Sequence, residues 1–295
     1  MKITTTGSLG NIAQPLVKQL IAAGHEVTVI TTKDDKISDI EALGAKAAVG
    51  SISDALFLTR AFSGADAVYT MMPPSIGTSN FIQNIADAGQ AYADAVKAAG
   101  INRVVLLSSV GADAASGNGP IQGVHRVENI FRQLNGVDVT VIRSGFFYVN
   151  FLRDIPQIKS RNVFGNNYSG DIRLALTHPD DLASAIAEAL QAKGDGFEVK
   201  YVVSDVATGD QLAALFGKAI GHPELTWTAI PDEQLNQGMR SAGMSAELVG
   251  LIIEMGQGVQ NGLIMNDFFS TDCNVIGKVK LEQFAEEFKN RYTQA

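Results

Sequence analysis

The sequence has little cysteine, no long apolar run and no excess of positive charge. Its 295 residues include one cysteine, Cys273. No disulfide can form within the chain, so we expect a lone unreactive thiol in a reducing compartment, which favours a cytoplasmic location. No window reaches the roughly 18 uninterrupted apolar residues that a membrane helix needs. The formal net charge is −8 and there is no basic stripe, so we expect neither a membrane nor a nucleic-acid partner.

Several catalytic arrangements are also missing from the sequence. The four histidines are scattered, with no Cys/His cluster at ligand spacing, so we predict no metal site. No Gly-x-Ser-x-Gly segment supports a Ser-His-Asp hydrolase. None of the six tyrosines has a lysine four residues later; Tyr92 is followed by Val96, and Lys97 lies one position off. A tyrosine whose pKa is lowered by a lysine at that spacing is therefore not available for proton transfer.

Short β-branched runs alternate with longer helical patterns through the first half of the chain. Such alternation predicts a Rossmann-type, doubly wound parallel sheet with helices on both faces. The candidate strands are Lys2–Thr6, Val27–Thr31, Ala47–Val49, Ala67–Met71, Val104–Ser108 and Val139–Arg143. The candidate helices lie near Asn11–Ala23, Ile37–Leu43, Ala55–Phe62, Phe81–Ala99 and Val124–Leu134. We therefore expect a dinucleotide-binding core over residues 1–145.

The second half of the chain has a different residue pattern. An aromatic and asparagine-rich stretch over Phe146–Gly170 precedes a helix near Asp180–Ala192, a strand at Val199–Val203, a helix at Gly209–Ile220 and a mostly helical tail. We predict that residues 146–295 form a smaller α/β substrate-side lobe, partly interwoven with the core. The segments Leu248–Ile253 and Gly256–Gly258 fit either a lid over the site or a contact within a homodimer, and the sequence does not choose between them.

A glycine turn directly after the first predicted strand is the strongest functional signal. It opens an amphipathic helix, which is the context that gives such a pattern meaning. Gly7 permits a sharp turn, Gly10 lets the backbone approach a pyrophosphate, and Ala13 keeps the helix close to the sheet. The helix N-terminus offers N–H groups to phosphates. The residues predicted to bind the cofactor here are Gly7, Ser8, Leu9, Gly10, Asn11 and Ile12.

The end of the second strand indicates which dinucleotide is bound. A site selective for NAD places Asp or Glu there to hold the ribose 2′-hydroxyl. This sequence has Thr32 and Lys33 instead, which suits a 2′-phosphate, and Ser8 offers a further donor. Asp34 and Asp35 follow and weaken the inference. We predict NADP(H) in preference to NAD(H).

The ends of two further strands complete the predicted cofactor site. Ser108 and Ser109 close a central strand, where ligands of open α/β sheets bind, so we expect them to line the nicotinamide pocket. Met71, Met72 and Pro73 follow the fourth strand. We expect these three residues to contact the cofactor rather than to take part in chemistry.

A series of landmarks resembles the NmrA-like group of atypical short-chain dehydrogenases, which includes bacterial NADPH:quinone oxidoreductases and NADP-sensing regulators. The glycine turn stands where that family has a Gly-Ala-Thr-Gly-like turn. The other landmarks, in order, are Gly24–Val27, Gly50–Asp54, Gly64–Val68, Leu106–Ser109, Arg143–Asn150 and His178–Ala183. Their order and spacing cover about two thirds of the chain. The resemblance implies a nicotinamide dinucleotide as cofactor.

The resemblance also frames the expected chemistry. Some relatives carry a lysine in the helix after the fifth strand, but Gly123–Glu128 has none. We therefore expect hydride transfer from NADPH to a quinone or similar small electrophilic acceptor, with His125 and Tyr148 as candidate catalytic residues. Phe146, Phe147 and Asn150 are the candidate substrate-binding residues. The alternative is a non-catalytic regulator that senses NADP(H) and binds a protein partner.

Overall fold

The computed structural model describes residues 1–73, 79–271 and 274–295, so Cys273 lies outside the described residues. The strands are β1 (Lys2–Thr5), β2 (Glu26–Thr31), β3 (Lys46–Val49), β4 (Ala67–Thr70), β5 (Arg103–Ser109), β6 (Asp138–Ser144), β7 (Phe146–Phe147), β8 (Phe164–Asn166), β9 (Arg173–Thr177), β10 (Phe197–Val202), β11 (Asp205–Thr208) and β12 (Trp227–Ala229). Within those ranges, no helix is long and apolar enough to cross a membrane.

Helices separate most of these strands. They are α1 (Ala13–Ala22), α2 (Ile37–Ala42), α3 (Ala55–Phe62), α4 (Phe81–Ala99), α5 (Ile121–Phe131), α6 (Ile155–Arg161), α7 (Pro179–Gln191), α8 (Gly209–Ile220), α9 (Asp232–Ser241), α10 (Ala246–Gln260), α11 (Asn266–Ser270) and α12 (Leu281–Gln294). Short 3₁₀ segments lie at Asp34–Lys36 and Tyr148–Asp154.

Seven strands form one sheet in the order β10-β6-β5-β4-β1-β2-β3. β1 pairs in parallel with both β2 and β4, and the pairs β2–β3 and β4–β5 are parallel as well. Because the chain starts in the centre and winds outward in both directions, the order reverses beside β1, as in dinucleotide-binding folds. The predicted Rossmann-type α/β class is confirmed.

Most predicted elements are present, with shifted ends. The helices Phe81–Ala99 and Gly209–Ile220 have the predicted bounds. Helix α5 begins three residues earlier than predicted and continues through Gly123. A Cβ at Gly123 would lie 2.8 Å from Cδ1 of Ile85 on α4, and a Cβ at Gly89 on α4 would lie 2.6 Å from Cγ2 of Val127. Two glycines therefore let α4 and α5 approach closely. Gly123 weakens the helical pattern of the sequence, but the helix continues through it.

The chain divides into two compact units that alternate along the sequence. The first unit contains Met1–Ser109, Gly123–Arg143 and Leu182–Lys200. The second contains Val110–Gln122, Ser144–Asp181 and Tyr201–Ala295. The second unit holds a three-stranded sheet in the order β11-β9-β7 and the pair β12–β8, neither of which the sequence patterns predicted.

Helix α1 packs in the first unit through one apolar stripe. Leu16, Val17 and Leu20 are fully buried, and burying each aliphatic side chain contributes about 1.5–3 kcal/mol. Pro15 lies in the first turn, where the N–H groups lack acceptors within the helix, so it costs little. Gly24 follows the helix with a φ of +83°. This left-handed conformation suits a glycine that follows the end of a helix.

Aromatic side chains fill the core of the second unit. Phe164 contacts Phe151, Phe216 and Trp227 with ring centroids 5.1–5.9 Å apart. Phe216 also stacks on Phe288 of α12 at 4.4 Å. Much of the predicted aromatic stretch over 146–170 is therefore ordinary core packing, because inward-facing rings from β8, α8 and α12 interlock.

Asp154 is a destabilising ionisable group in the second unit. It lies at the end of the 3₁₀ segment, partly buried, and burial raises the pKa of its carboxyl to about 7, although the cation of Arg153 opposes the shift. The carboxylate receives no hydrogen bond from any residue that the structure describes. Its pKa is raised above the unfolded value, so the folded protein favours the neutral form and loses stability as pH rises from about 4 to 7.

We expect Asp154→Asn to make the free energy of unfolding less dependent on pH. The variant should gain about 1–4 kcal/mol over wild type above pH 8, because a shift of about three units is worth about 1.4 kcal/mol per unit at most. Urea unfolding of both proteins at pH 5 and pH 8 measures the difference. Asp171→Asn at an exposed position is the control. If the two variants have the same pH dependence, Asp154 is not the source.

Candidate functional site

The glycine turn lies between the ends of β1 and α1 in the first unit. Gly7 has a φ of +95°, and a Cβ there would lie 3.3 Å from Cγ of Met71 and 3.6 Å from Cβ of Ala13. Ser8 also adopts a positive φ of 53°. The Ser8 amide donates to the carbonyl of Ile30 at 3.1 Å, which holds the turn against β2. A side chain at position 7 would be strained by the positive φ and would press closely on the Met71 side chain.

Backbone donors at the start of α1 are left without acceptors. No side chain caps the helix at Ile12, and neither the Asn11 amide nor the Ile12 amide donates a hydrogen bond to another described residue. Ile12 is buried, so its N–H is costly unless a ligand or water accepts from it. Together with the positive end of the helix dipole, these donors fit the pyrophosphate of a dinucleotide.

Thr31, the last residue of β2, connects the glycine turn to the following loop. The Ser8 hydroxyl donates to Oγ1 of Thr31 at 3.0 Å, and the Lys33 amide donates to the same oxygen at 3.2 Å. Thr31 is buried, whereas Thr32 and Lys33 are exposed immediately beyond it. The sequence pattern predicted Thr31 as the last residue of the strand but not its bonds to the turn, because these depend on which residues the fold brings beside it.

Two lysines near this strand end have different surroundings. The ammonium of Lys36 pairs with the Asp39 carboxylate at 3.1 Å, and this contact raises the pKa of Lys36. Lys33 Nζ has no carboxylate partner among the described residues. A cation without such a partner is the better candidate for a ligand phosphate.

The end of β4 is fixed by buried polar groups that sequence analysis also missed. The Met71 amide donates to Oγ1 of Thr6 at 2.9 Å, and the Tyr92 hydroxyl donates to the Met71 carbonyl at 3.1 Å. Tyr92 is fully buried, which raises its pKa well above its ordinary value. Tyr92 therefore acts as a neutral hydrogen-bond donor beneath the turn. Met72 and Pro73 follow, both partly buried.

The end of β5 carries a buried charged network. The Ser108 hydroxyl donates to Oε1 of Glu128 at 2.5 Å. Arg143 donates to both oxygens of the same carboxylate, from Nε at 3.0 Å and from Nη2 at 2.7 Å. The exposed fractions are 4% for Ser108, 2% for Glu128 and 7% for Arg143. Ser108 thus bonds to protein rather than simply lining a pocket, while its neighbour Ser109 is partly buried.

His125 lies on α5, one turn before Glu128. Its Nε2 is 2.9 Å from Nδ2 of Asn129. Through this contact Asn129, one turn later on the same helix, helps to orient the imidazole ring. His125 is partly buried. The ring is therefore oriented by its own helix, which a sequence pattern alone does not reveal.

The remaining candidates belong to the second unit. Phe146 and Phe147 form β7, which pairs with β9, and both are partly buried. Asn150 is exposed. Tyr148 departs from its predicted catalytic role: it is fully buried, its hydroxyl donates to the Val279 carbonyl at 3.1 Å, and burial raises its pKa. A phenol held in this way is a poor proton donor to a ligand, so we leave it out of the proposed chemistry.

The glycines of α10 make close contacts inside the second unit. A Cβ at Gly256 would lie 1.6 Å from Oδ1 of Asn167, and one at Gly258 would lie 2.6 Å from the Gly117 carbonyl. Glu254 on the same helix accepts from the Gly117 amide at 3.0 Å. These glycines therefore let α10 pack closely against other residues of the second unit.

Comparison with known proteins places the chain in a family. The model of the NmrA-like family matches residues 1–285, so the chain belongs to the NmrA-like family. The NAD(P)H azoreductase of Xenophilus azovorans is 26% identical over 256 residues, which cover 86% of this chain and 85% of that protein.

Solved structures share the fold over nearly the whole chain. An NADPH-dependent quinone oxidoreductase from Escherichia coli, complexed with NADPH, is 21% identical with a TM-score of 0.81, covering 97% of this chain and 99% of that one. The triphenylmethane reductase of Citrobacter sp. is 16% identical with a TM-score of 0.80, covering 98% and 99%. At these identities the likeness concerns the fold.

We expect Gly7→Ala to abolish dinucleotide binding while the protein stays folded. The added Cβ forces the turn out of its positive φ and toward Met71, which displaces the amide groups of the helix start. Gly24→Ala is the matched control, because Gly24 has a similar φ of +83° but nothing within 4 Å of an added Cβ. Calorimetric titration with NADPH measures binding. Equal affinities for the two variants would contradict the assignment of the turn.

Proposed function

We propose that this protein is an NAD(P)H-dependent oxidoreductase that reduces a small electrophilic acceptor of the quinone type. The glycine turn carries the proposal, since it combines a positive φ at Gly7 with amides of Asn11 and Ile12 that donate to no other described residue, at a helix N-terminus. The named activities of the azoreductase, quinone oxidoreductase and triphenylmethane reductase described above support it.

The proposed cofactor is NADP(H) in preference to NAD(H). Lys33 would pair with the 2′-phosphate, because its ammonium has no partner among the described residues and no acidic side chain stands at the end of β2. Thr32 would add a hydroxyl donor to the same group, and Ser8 would add another by exchanging its bond to Thr31 for one to the phosphate. Asn11, Ile12 and the turn would hold the pyrophosphate. Met71, Met72, Pro73 and Ser109 would contact the nicotinamide half.

The proposed chemistry requires the protein mainly to position the cofactor and the acceptor. The cofactor, when bound, supplies a hydride. A quinone or a cationic dye is electrophilic enough that the protein needs to orient it and exclude water rather than to provide a strong acid. His125 would then deliver a proton from its imidazole ring to the reduced acceptor. Phe146, Phe147 and Asn150 would bind the acceptor.

The direct test is NADPH oxidation by purified protein against quinones, azo dyes and triphenylmethane dyes. We expect turnover with at least one of these classes, recorded as loss of NADPH absorbance that depends on both protein and acceptor. Tight NADPH binding with no turnover on any class would contradict the enzymatic proposal. A large difference in affinity between NADPH and NADP⁺ would then favour the NADP(H)-sensing alternative.

Lys33→Ala tests the cofactor preference. We expect the dissociation constant of NADPH to rise about tenfold, since a charge-assisted contact is worth roughly 1.5 kcal/mol and each 1.4 kcal/mol is a factor of ten. Affinity for NADH should stay unchanged. Lys36→Ala is the control, because Lys36 is already paired with Asp39. If NADPH and NADH affinities change together, Lys33 does not recognise the 2′-phosphate.

A further inference from the structure

A buried carboxylate holds three elements of the first unit together. Glu128 extends from α5, Arg143 from β6 and Ser108 from β5, and all three are at least nine-tenths buried. The guanidinium binds the carboxylate through two parallel hydrogen bonds, which fix both planes. The Ser108 hydroxyl takes a third bond to Oε1. The orientation of Glu128 is therefore determined from two strands at once.

Stability alone does not explain this network. Removing two charges from water costs several kcal/mol per ion, and apolar residues of similar volume often stabilise a core as well or better. What the network provides is a fixed geometry, since bidentate pairing tolerates little displacement. The network fixes the position of the carboxyl end of β5, next to Ser109. It also fixes the turn of α5 that carries His125.

We propose that Glu128 is a positioning residue for hydride transfer, acting through Ser108 on the end of β5 and through α5 on His125. This inference rests on the proposed function. Glu128 does not touch a ligand and does not exchange a proton, because its oxygens are occupied by Arg143 and Ser108. It holds the nicotinamide-side wall at a constant distance from the imidazole, and small displacements of such groups lower rates strongly.

Ser108→Ala is the main test, because it removes the hydroxyl and leaves the ion pair intact. We expect kcat to fall about tenfold while the KM for NADPH changes less than about twofold, since loss of alignment acts on the reaction step rather than on binding. The primary isotope effect with 4-deuterated NADPH should rise, because hydride transfer becomes more rate-limiting. Glu128→Gln should have a larger effect in the same direction, with a loss of stability because the ion pair with Arg143 is removed.

Thr4→Val is the matched control. Thr4 is a buried residue of β1, and its hydroxyl donates one hydrogen bond to the Ala61 carbonyl at 3.1 Å. A variant at this position loses a partly buried hydrogen bond that does not involve Glu128, Ser108 or Arg143. We expect similar loss of stability in Thr4→Val and Ser108→Ala, but a change in kcat and isotope effect only in the latter.

A second measurement does not depend on turnover. Circular dichroism in the nicotinamide absorption band reports how firmly bound NADPH is oriented, and calorimetry reports its affinity. We expect Ser108→Ala to weaken the dichroic signal at unchanged affinity, and Thr4→Val to leave both unchanged. If Ser108→Ala matches Thr4→Val in dichroism and in kinetics, Glu128 is merely structural. If the wild-type protein reduces no acceptor, the proposed function fails. The dichroism of bound NADPH in the two variants then decides by itself whether the Glu128 network orients the nicotinamide.

Discussion

Parallel pairing of β1 with both β2 and β4 is the constraint on which the candidate site depends. Since parallel strands place their carboxyl ends at one edge, the chain that leaves β1 must turn beside the ends of both neighbours. Gly7 fills the narrow space next to Met71 after β4, and Ser8 bonds to Ile30 and Thr31 at the end of β2. The positive φ and the close neighbours at Gly7 favour a residue without a side chain, and the amides of Asn11 and Ile12, just before α1, donate to no other described residue.

Buried polar groups hold the rest of this edge in place. Beneath β4 they are neutral, with Thr6 and Tyr92 bonded to the backbone of Met71. Beneath β5 they are charged, with Glu128 between Ser108 and Arg143. Both networks act at the ends of strands, where the regular ladder stops and backbone direction is otherwise weakly determined. Fully satisfied polar networks specify one arrangement, whereas apolar contacts tolerate several.

The second unit is organised by a different kind of interaction. Interlocking rings from β8, α8 and α12 form its core, and glycines let α10 approach the loops around Gly117 and Asn167. Aromatic residues that resemble a ligand-binding surface in the sequence mostly pack on each other here. Phe146 and Phe147 differ, because they lie on β7 and stay partly buried. Among the aromatic residues of that stretch they are the two that are not fully buried.

The sequence by itself determined the Rossmann-type class, the glycine turn and the bounds of the most regular helices, because these depend on local periodicity and on the conformational freedom of single glycines. Tertiary structure alone decided which hydroxyl meets the turn, Thr31 rather than Thr32, since that choice depends on strand register. It also decided that Tyr148 is buried and bonded to Val279, and that Glu128 and Arg143 form a pair. These partners are separated by 15 to 131 residues along the chain. Contacts between residues so far apart in the chain cannot be predicted from a periodic pattern in a single sequence, because they depend on how the folded elements pack.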